Sequence, residues 1–142
     1  MQIRHDIQNN IPLVTSSAVA ATSSDNTAMT FPSGSTGYDT LGFDAVNFFI
    51  ISGTLADADA TFTVEISEAD TTNGSYTAVA DADLIALEST VAFAFGDDNI
   101  VRQIGVKPRK RYLRVVVTPA NNTSAAAFTV VVNGVKQFFG TV

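Results

Sequence analysis

A single histidine, His5, and no cysteine among 142 residues leave a histidine-based triad or a tetrahedral zinc site without parts to be built from. His5, close to the start of the chain, reads as a solvated polar side chain. The other groups that could do chemistry are 14 carboxylates. Two pairs stand out, Asp57 with Asp59 and Asp97 with Asp98, because hard cations gather oxygen ligands in loops. Each pair, however, lies in a turn context where aspartate serves by bonding the backbone, and no calcium-loop pattern follows. A glycosidase needs two carboxylates facing each other across a cleft, and nothing in the linear order selects one pair. A glycine-rich phosphate loop is also missing. The reading is a protein that is not an enzyme and that has no cofactor and no metal.

Positive charge is the second feature, and it is concentrated. Six of the eight basic residues lie between Ile100 and Pro119, and four of them, Lys107, Arg109, Lys110 and Arg111, are nearly contiguous. These four are the candidate contact with acidic groups on a neighbouring copy or partner. Nucleic acid is a poor match, because such sites add stacking aromatics and an overall basic field, whereas only Tyr112 is near and the chain carries a net −6. All 14 acids lie at or before Asp98: the first 98 residues hold one base against 14 acids, and residues 99–142 hold seven bases and no acid. Blocks of opposite sign can meet as neighbouring strands of one domain or as facing patches on copies of an oligomer. The first arrangement is the expected one.

The elements that must hold this cluster follow from period-two patterns. Leu113, Val115 and Val117 share one strand face, Tyr112, Arg114 and Val116 the other, up to Thr118-Pro119. Alternation puts Arg111 on the face opposite Tyr112. Ile100, Arg102, Ile104 and Val106 alternate with Val101, Gln103 and Gly105, so two strands joined by a turn at Lys107–Lys110 predict a β-hairpin with a basic tip. Upstream, Val46, Phe48 and Ile50 oppose Asn47, Phe49 and Ile51 in a strand apolar on most of both sides, hence central, ended or bent by Gly53. Phe62, Val64 and Ile66 face inward from a half-buried strand, and Asn73-Gly74, which tolerates positive φ, reverses the chain towards Tyr76–Val79. Residues 81–88 fit one helical turn; Val91, Phe93 and Phe95 alternate, and Phe128–Val132 is the last strand.

Before Tyr38 the texture is sparser, with Ser, Thr, Asn and Gly breaking up short apolar pieces. No continuous strand of ordinary length is expected there. The organisation predicted is an N-terminal arm with short strands or loops over 1–37 and a β-sandwich domain over 38–142. About seven or eight strands at intervals of roughly 10–15 residues, with almost no helical periodicity, predict an all-β, single-domain β-sandwich or jelly roll. A chain of this length buries roughly two thirds of its unfolded surface and needs no staple. Absence of cysteine fits a reducing cytoplasm. The opening residues turn polar at once, so neither a signal peptide nor a membrane span is expected.

Four stretches also carry a resemblance. They are Tyr38-Asp39-Thr40-Leu41-Gly42-Phe43-Asp44-Ala45, Ile51-Ser52-Gly53-Thr54-Leu55-Ala56-Asp57, Phe62 through Asp70, and Ile104-Gly105-Val106-Lys107 with Lys110-Arg111-Tyr112-Leu113-Arg114-Val115. In this order they resemble the head decoration, or cement, proteins encoded beside the major capsid protein in tailed bacteriophages. The resemblance covers about residues 36–135, and Lys110-Arg111-Tyr112-Leu113-Arg114 is its most specific piece. In that pattern a second glycine stands between Gly105 and Lys110, where this chain has Pro108 and Arg109.

The resemblance implies a structural virion protein, made in the host cytoplasm, that binds the outside of a capsid and holds major capsid protein subunits together. It also implies a homo-oligomer, a trimer at three-fold lattice sites or else a dimer at two-fold sites. The alternative class is a carbohydrate-binding or adhesive β-sandwich module of a tail fibre; such sites present exposed aromatics, and this chain has no tryptophan.

Overall fold

The computed structural model describes residues 15–34 and 36–135. Arg4, His5 and Lys136 lie outside the described residues, as does the part of the expected arm before residue 15. The described residues form ten strands: β1 (Thr15–Ser23), β2 (Met29–Phe31), β3 (Tyr38–Asp39), β4 (Ala45–Leu55), β5 (Thr61–Ala69), β6 (Thr77–Ala78), β7 (Phe93–Ala94), β8 (Val101–Val106), β9 (Tyr112–Ala120) and β10 (Ala126–Val135). They make two antiparallel sheets, the first in the order β1-β10-β4-β8 and the second in the order β2-β9-β5-β6. The two-residue strands β3 and β7 extend the second sheet against β9 and β5. This is the strand order of a jelly roll, and the all-β sandwich expected from the spacing of the apolar runs is the fold observed.

Alternation explains the core. From the first sheet come Val46, Phe48 and Ile50 of β4, Ile104 and Val106 of β8, and Phe128, Val130 and Val132 of β10. From the second come Met29 and Phe31, Phe62, Val64 and Ile66, and Leu113, Val115 and Val117. All are buried in one continuous cluster, in which Phe128 meets the rings of Phe62 and Phe93 at 5.1 and 5.3 Å between centroids. Strand β4 is central, as its two apolar faces predicted. Gly53 bends it without ending it: the register with β10 shifts by one residue there, Leu55 pairing Ala126 while Ser52 pairs Phe128.

Several expectations are corrected. β8 and β9 are not a hairpin, because they belong to different sheets. Both have one apolar face to bury, and each buries it from its own side of the gap, so residues 107–111 must cross between sheets that lie about 10 Å apart. The sparse stretch before Tyr38 does contain a strand of ordinary length, the nine-residue β1 paired with β10, while β2 inserts Met29 and Phe31 into the core. The low apolar content that spoke against a strand suits an edge position. Residues 81–88 do not form one helical turn; short 3-10 turns occur at Asp81–Asp83 and Glu88–Val91 with extended chain between. Phe95 does not join Val91 and Phe93 in the core but lies in the turn where Gly96 takes φ +90°. Gly74 closes the reversal with an N–H bond to the Thr71 carbonyl (3.0 Å), and neither Asn73 nor Gly74 uses positive φ.

The long edges of the second sheet are covered piecewise. Between β6 and β7, the Glu88 carboxylate accepts the N–H of Ile66 on β5 at 2.6 Å, standing in for a strand. Burial is the main cause that raises the Glu88 pKa, and the charges of Glu65 and Asp81 add to it. The Tyr38 hydroxyl, 4% exposed as a residue, has no hydrogen-bond partner among the described residues, and burial raises its pKa to about 12.

Two substitutions test this core. Val115→Asp puts an unpartnered charge at a fully buried central position and should cost several kcal/mol, of the order of the whole stability of a small domain; Arg109→Ala should shift the melting temperature far less. Tyr38→Phe removes an unsatisfied hydroxyl and should leave stability unchanged or raise it by about 1 kcal/mol in urea unfolding.

Candidate interaction site

The crossing between β8 and β9 carries all four basic candidates, and the structure binds it down at almost every residue. The N–H of Lys107 donates to the Asp83 carbonyl at 2.8 Å. Pro108 follows, and then the N–H groups of Arg109 and Lys110 both donate to Glu68 Oε2, each at 3.1 Å. Glu68 is buried at the end of β5, so its carboxylate acts as an internal cap for the turn. The Arg111 carbonyl accepts two bonds from Thr40, from its N–H at 2.8 Å and its hydroxyl at 2.7 Å.

The side chains find acids from far upstream. Arg109 grips Asp83 through Nε (2.8 Å) and Nη2 (2.6 Å). Arg111 meets Asp39 side-on, Nε to Oδ1 at 3.0 Å and Nη2 to Oδ2 at 2.7 Å, the two-pronged geometry that guanidinium favours. These hydrogen bonds are the largest cause holding both carboxyls below the usual aspartate range, and they raise both guanidinium pKa values. Lys110 Nζ donates to Thr77 Oγ1 at 3.1 Å, and Lys107 is exposed. The acid-free tail therefore meets the acid-rich part inside one domain. All three ion pairs among the described residues, Arg109–Asp83, Arg111–Asp39 and Arg102–Asp97, join an acid at or before Asp98 to a later base.

On the outer face of the second sheet the cluster continues into aromatic contacts. The Arg111 guanidinium lies 5.2 Å from the Tyr112 ring centroid, and that of Arg114 lies 3.6 Å from the Tyr76 ring. Arg111 thus shares the side of Tyr112, contrary to strict alternation. It precedes β9, in a bend fixed by Thr40, so the pleat does not set its direction. Gly37 allows this packing, since a Cβ there would run into the Tyr76 hydroxyl.

The aspartate pairs serve loops. Asp57 accepts the N–H and hydroxyl of Thr123, both at 2.7 Å, and these bonds are the first cause lowering its pKa. Asp97 takes Arg102 and the Ala94 N–H, and Asp98 takes the Leu55 N–H at 2.6 Å. Among the described residues, no group of three or more His, Cys, Asp or Glu side chains could hold a metal, and no helix is long and apolar enough to cross a membrane. Sequence reasoning found the basic residues but missed their partners Asp39, Glu68 and Asp83. The split of charge along the chain announced that such partners exist without saying which acids they are.

No protein-family model matches the chain, and no curated protein is similar to it in sequence. Among solved structures, it is similar to a crystal structure of the N-terminal CBM22-1–GH10 modules of Clostridium thermocellum endo-1,4-beta-D-xylanase 10B, complexed with xylohexaose. Identity is 12% and the TM-score is 0.39, over 74% of this chain and 19% of that one. A TM-score this low carries neither ligand nor activity across.

The ion pairs predict an acid response. Both folded carboxyls sit below the ordinary value of 3.8, so their contribution is present above that pH and is lost as pH falls through the folded values. Melting followed from pH 5 down to about 2 should show a smaller decline for Asp39→Asn with Asp83→Asn than for the natural chain.

Proposed function

We propose that this protein is a structural component of a phage virion that attaches to the outside of an assembled capsid and ties neighbouring major capsid subunits together. The observation that carries the reading is the convergence of the motifs behind the resemblance. Tyr38–Thr40, the end of β5 at Glu68, and Lys110–Arg114 are distant in sequence, yet Asp39, Thr40 and Glu68 are the partners of residues 109–111. The recurring residues thus build one rigid corner. A protein of this kind needs a stiff body and complementary surfaces; among the described residues the carboxylates cap turns and pair with arginines, an arrangement suited to shape rather than to turnover.

The basic corner remains the proposed contact with the shell or a neighbouring copy, with a changed division of labour. Arg109 and Arg111 are largely spent on internal pairs, which leaves Lys107 and Lys110 as the ammonium groups offered to acidic groups outside. The sugar-binding alternative gains nothing from the outer face of the second sheet, since arginines already lie over the Tyr76 and Tyr112 rings.

The test is co-sedimentation with empty capsids of the phage that encodes the chain. Removing everything before Tyr38 is unsuitable as a variant, because it deletes β1 and β2 from the sheets. The intact protein is expected to sediment with shells; a folded protein that stays in the supernatant overturns the reading. Raising salt from about 0.05 to about 0.5 M shortens the screening length from more than 10 Å to roughly 4 Å. Attachment should weaken moderately, and Lys107→Ser with Lys110→Ser should remove most of that salt dependence.

A further inference from the structure

Among the described residues the first sheet ends in β8, and half of that edge has unpaired backbone groups, with the Glu88–Val91 turn packed beside it and the Thr90 carbonyl accepting from Arg102 Nη1 at 3.3 Å. Ser52 N–H donates to the Ile100 carbonyl at 3.0 Å, so the even-numbered residues of this strand turn their backbone groups towards β4. The odd-numbered ones turn away. At Gly105 and Lys107 the protein covers this outward side itself: the Gly105 carbonyl accepts the Ile85 N–H, and the Lys107 N–H donates to Asp83, each at 2.8 Å. At Val101 and Gln103 the outward N–H and C=O groups have no partner among the described residues.

Apolar side chains surround this gap. Three of the six large apolar residues exposed among the described residues are here: Ile85 (66%), which lies against Gly105, Val101 (58%) and Ile100 (40%). An open edge flanked by exposed apolar groups is a template for pairing with another strand; a lysine, a proline and a bulge are absent from Val101–Gln103, and the one charge there, Arg102, is paired with Asp97 at 2.9 Å.

We propose that this edge is an interface between two copies of the chain, β8 pairing antiparallel with β8 of the second copy about a two-fold axis at Arg102. Val101 of each copy then faces Gln103 of the other, both pairs exchanging N–H···O bonds, and the two first sheets join into one. The geometry favours a second copy. In each chain the edge is closed from Gly105 onward by Asp83–Ile85, while before Ile100 the strand turns off at Asn99, where φ is +56°. In the antiparallel arrangement these two features lie opposite each other, so neither closed half meets the other strand. Charge points the same way. Copies carrying −6 each repel, but at this edge Arg102 is neutralised by Asp97 at 2.9 Å and Glu88 is turned to Ile66. The edge offers an anionic or a cationic partner nothing, and its own neutral, apolar counterpart a match. Such a contact closes at two copies, in contrast to the trimer suggested by three-fold lattice sites.

Native mass of the free protein as a function of concentration tests this without any capsid, so its failure and that of the capsid reading are separable. The natural chain should reach twice 14.9 kDa. Val101→Glu and Gln103→Lys should each return it to the single-chain mass, and mixing the two variants should restore a dimer, because the new opposite charges face each other across the edge. Leu41→Glu, an exposed apolar site elsewhere, should remain dimeric, and melting curves check that every variant is folded. A natural chain that stays monomeric, or an oligomer of any size indifferent to both edge substitutions, overturns the proposal.

Discussion

Everything in this molecule depends on filling a single gap between two sheets. Each long strand has one apolar face, and all of these faces must share the same slab about 10 Å thick. The chain meets that constraint by crossing the gap between β1 and β2, β3 and β4, β4 and β5, β7 and β8, β8 and β9, and β9 and β10. Crossings are therefore as important as strands, and each must satisfy its backbone groups without a ladder.

The basic crossing shows how this is done. Two successive N–H groups share one buried glutamate oxygen, a carbonyl accepts twice from a threonine, and arginines on either side of Lys110 hold aspartates from β3 and from the Asp81–Asp83 turn. A cluster that looks like a charged tip in the linear chain is a cross-brace in the fold. Its two ion pairs are exposed enough for water to screen them; more of the bracing comes from the backbone bonds to Glu68 and Thr40.

Edges are the complementary problem, since a jelly roll has four and water alone covers them poorly against other strands. The second sheet meets it with short strands and with Glu88 acting as a single acceptor on β5. On the first sheet, β8 is covered from Gly105 on, while at Val101 and Gln103 its outward backbone groups have no partner among the described residues. The contrast between a carefully covered and an uncovered edge in one small domain is what the proposed pairing of two copies rests on.

The strands, their inward faces and the all-β class were legible in the sequence, because alternation of apolar and polar residues is a local consequence of the pleat: Phe62, Val64 and Ile66, or Leu113, Val115 and Val117, announce their face wherever the strand goes. The division of charge was legible too, as a statement that acids and bases must meet. Which ones meet was decided only by the tertiary structure. Pleat periodicity says nothing about which sheet a strand joins, so β8 and β9 read as a hairpin and β1, poor in large apolar groups, read as an arm. The partners Asp39, Glu68 and Asp83 lie up to 72 residues from the groups they hold; their meeting is a property of strand order, as is the unpaired side of Val101 and Gln103, since among the described residues no strand follows β8 in the first sheet.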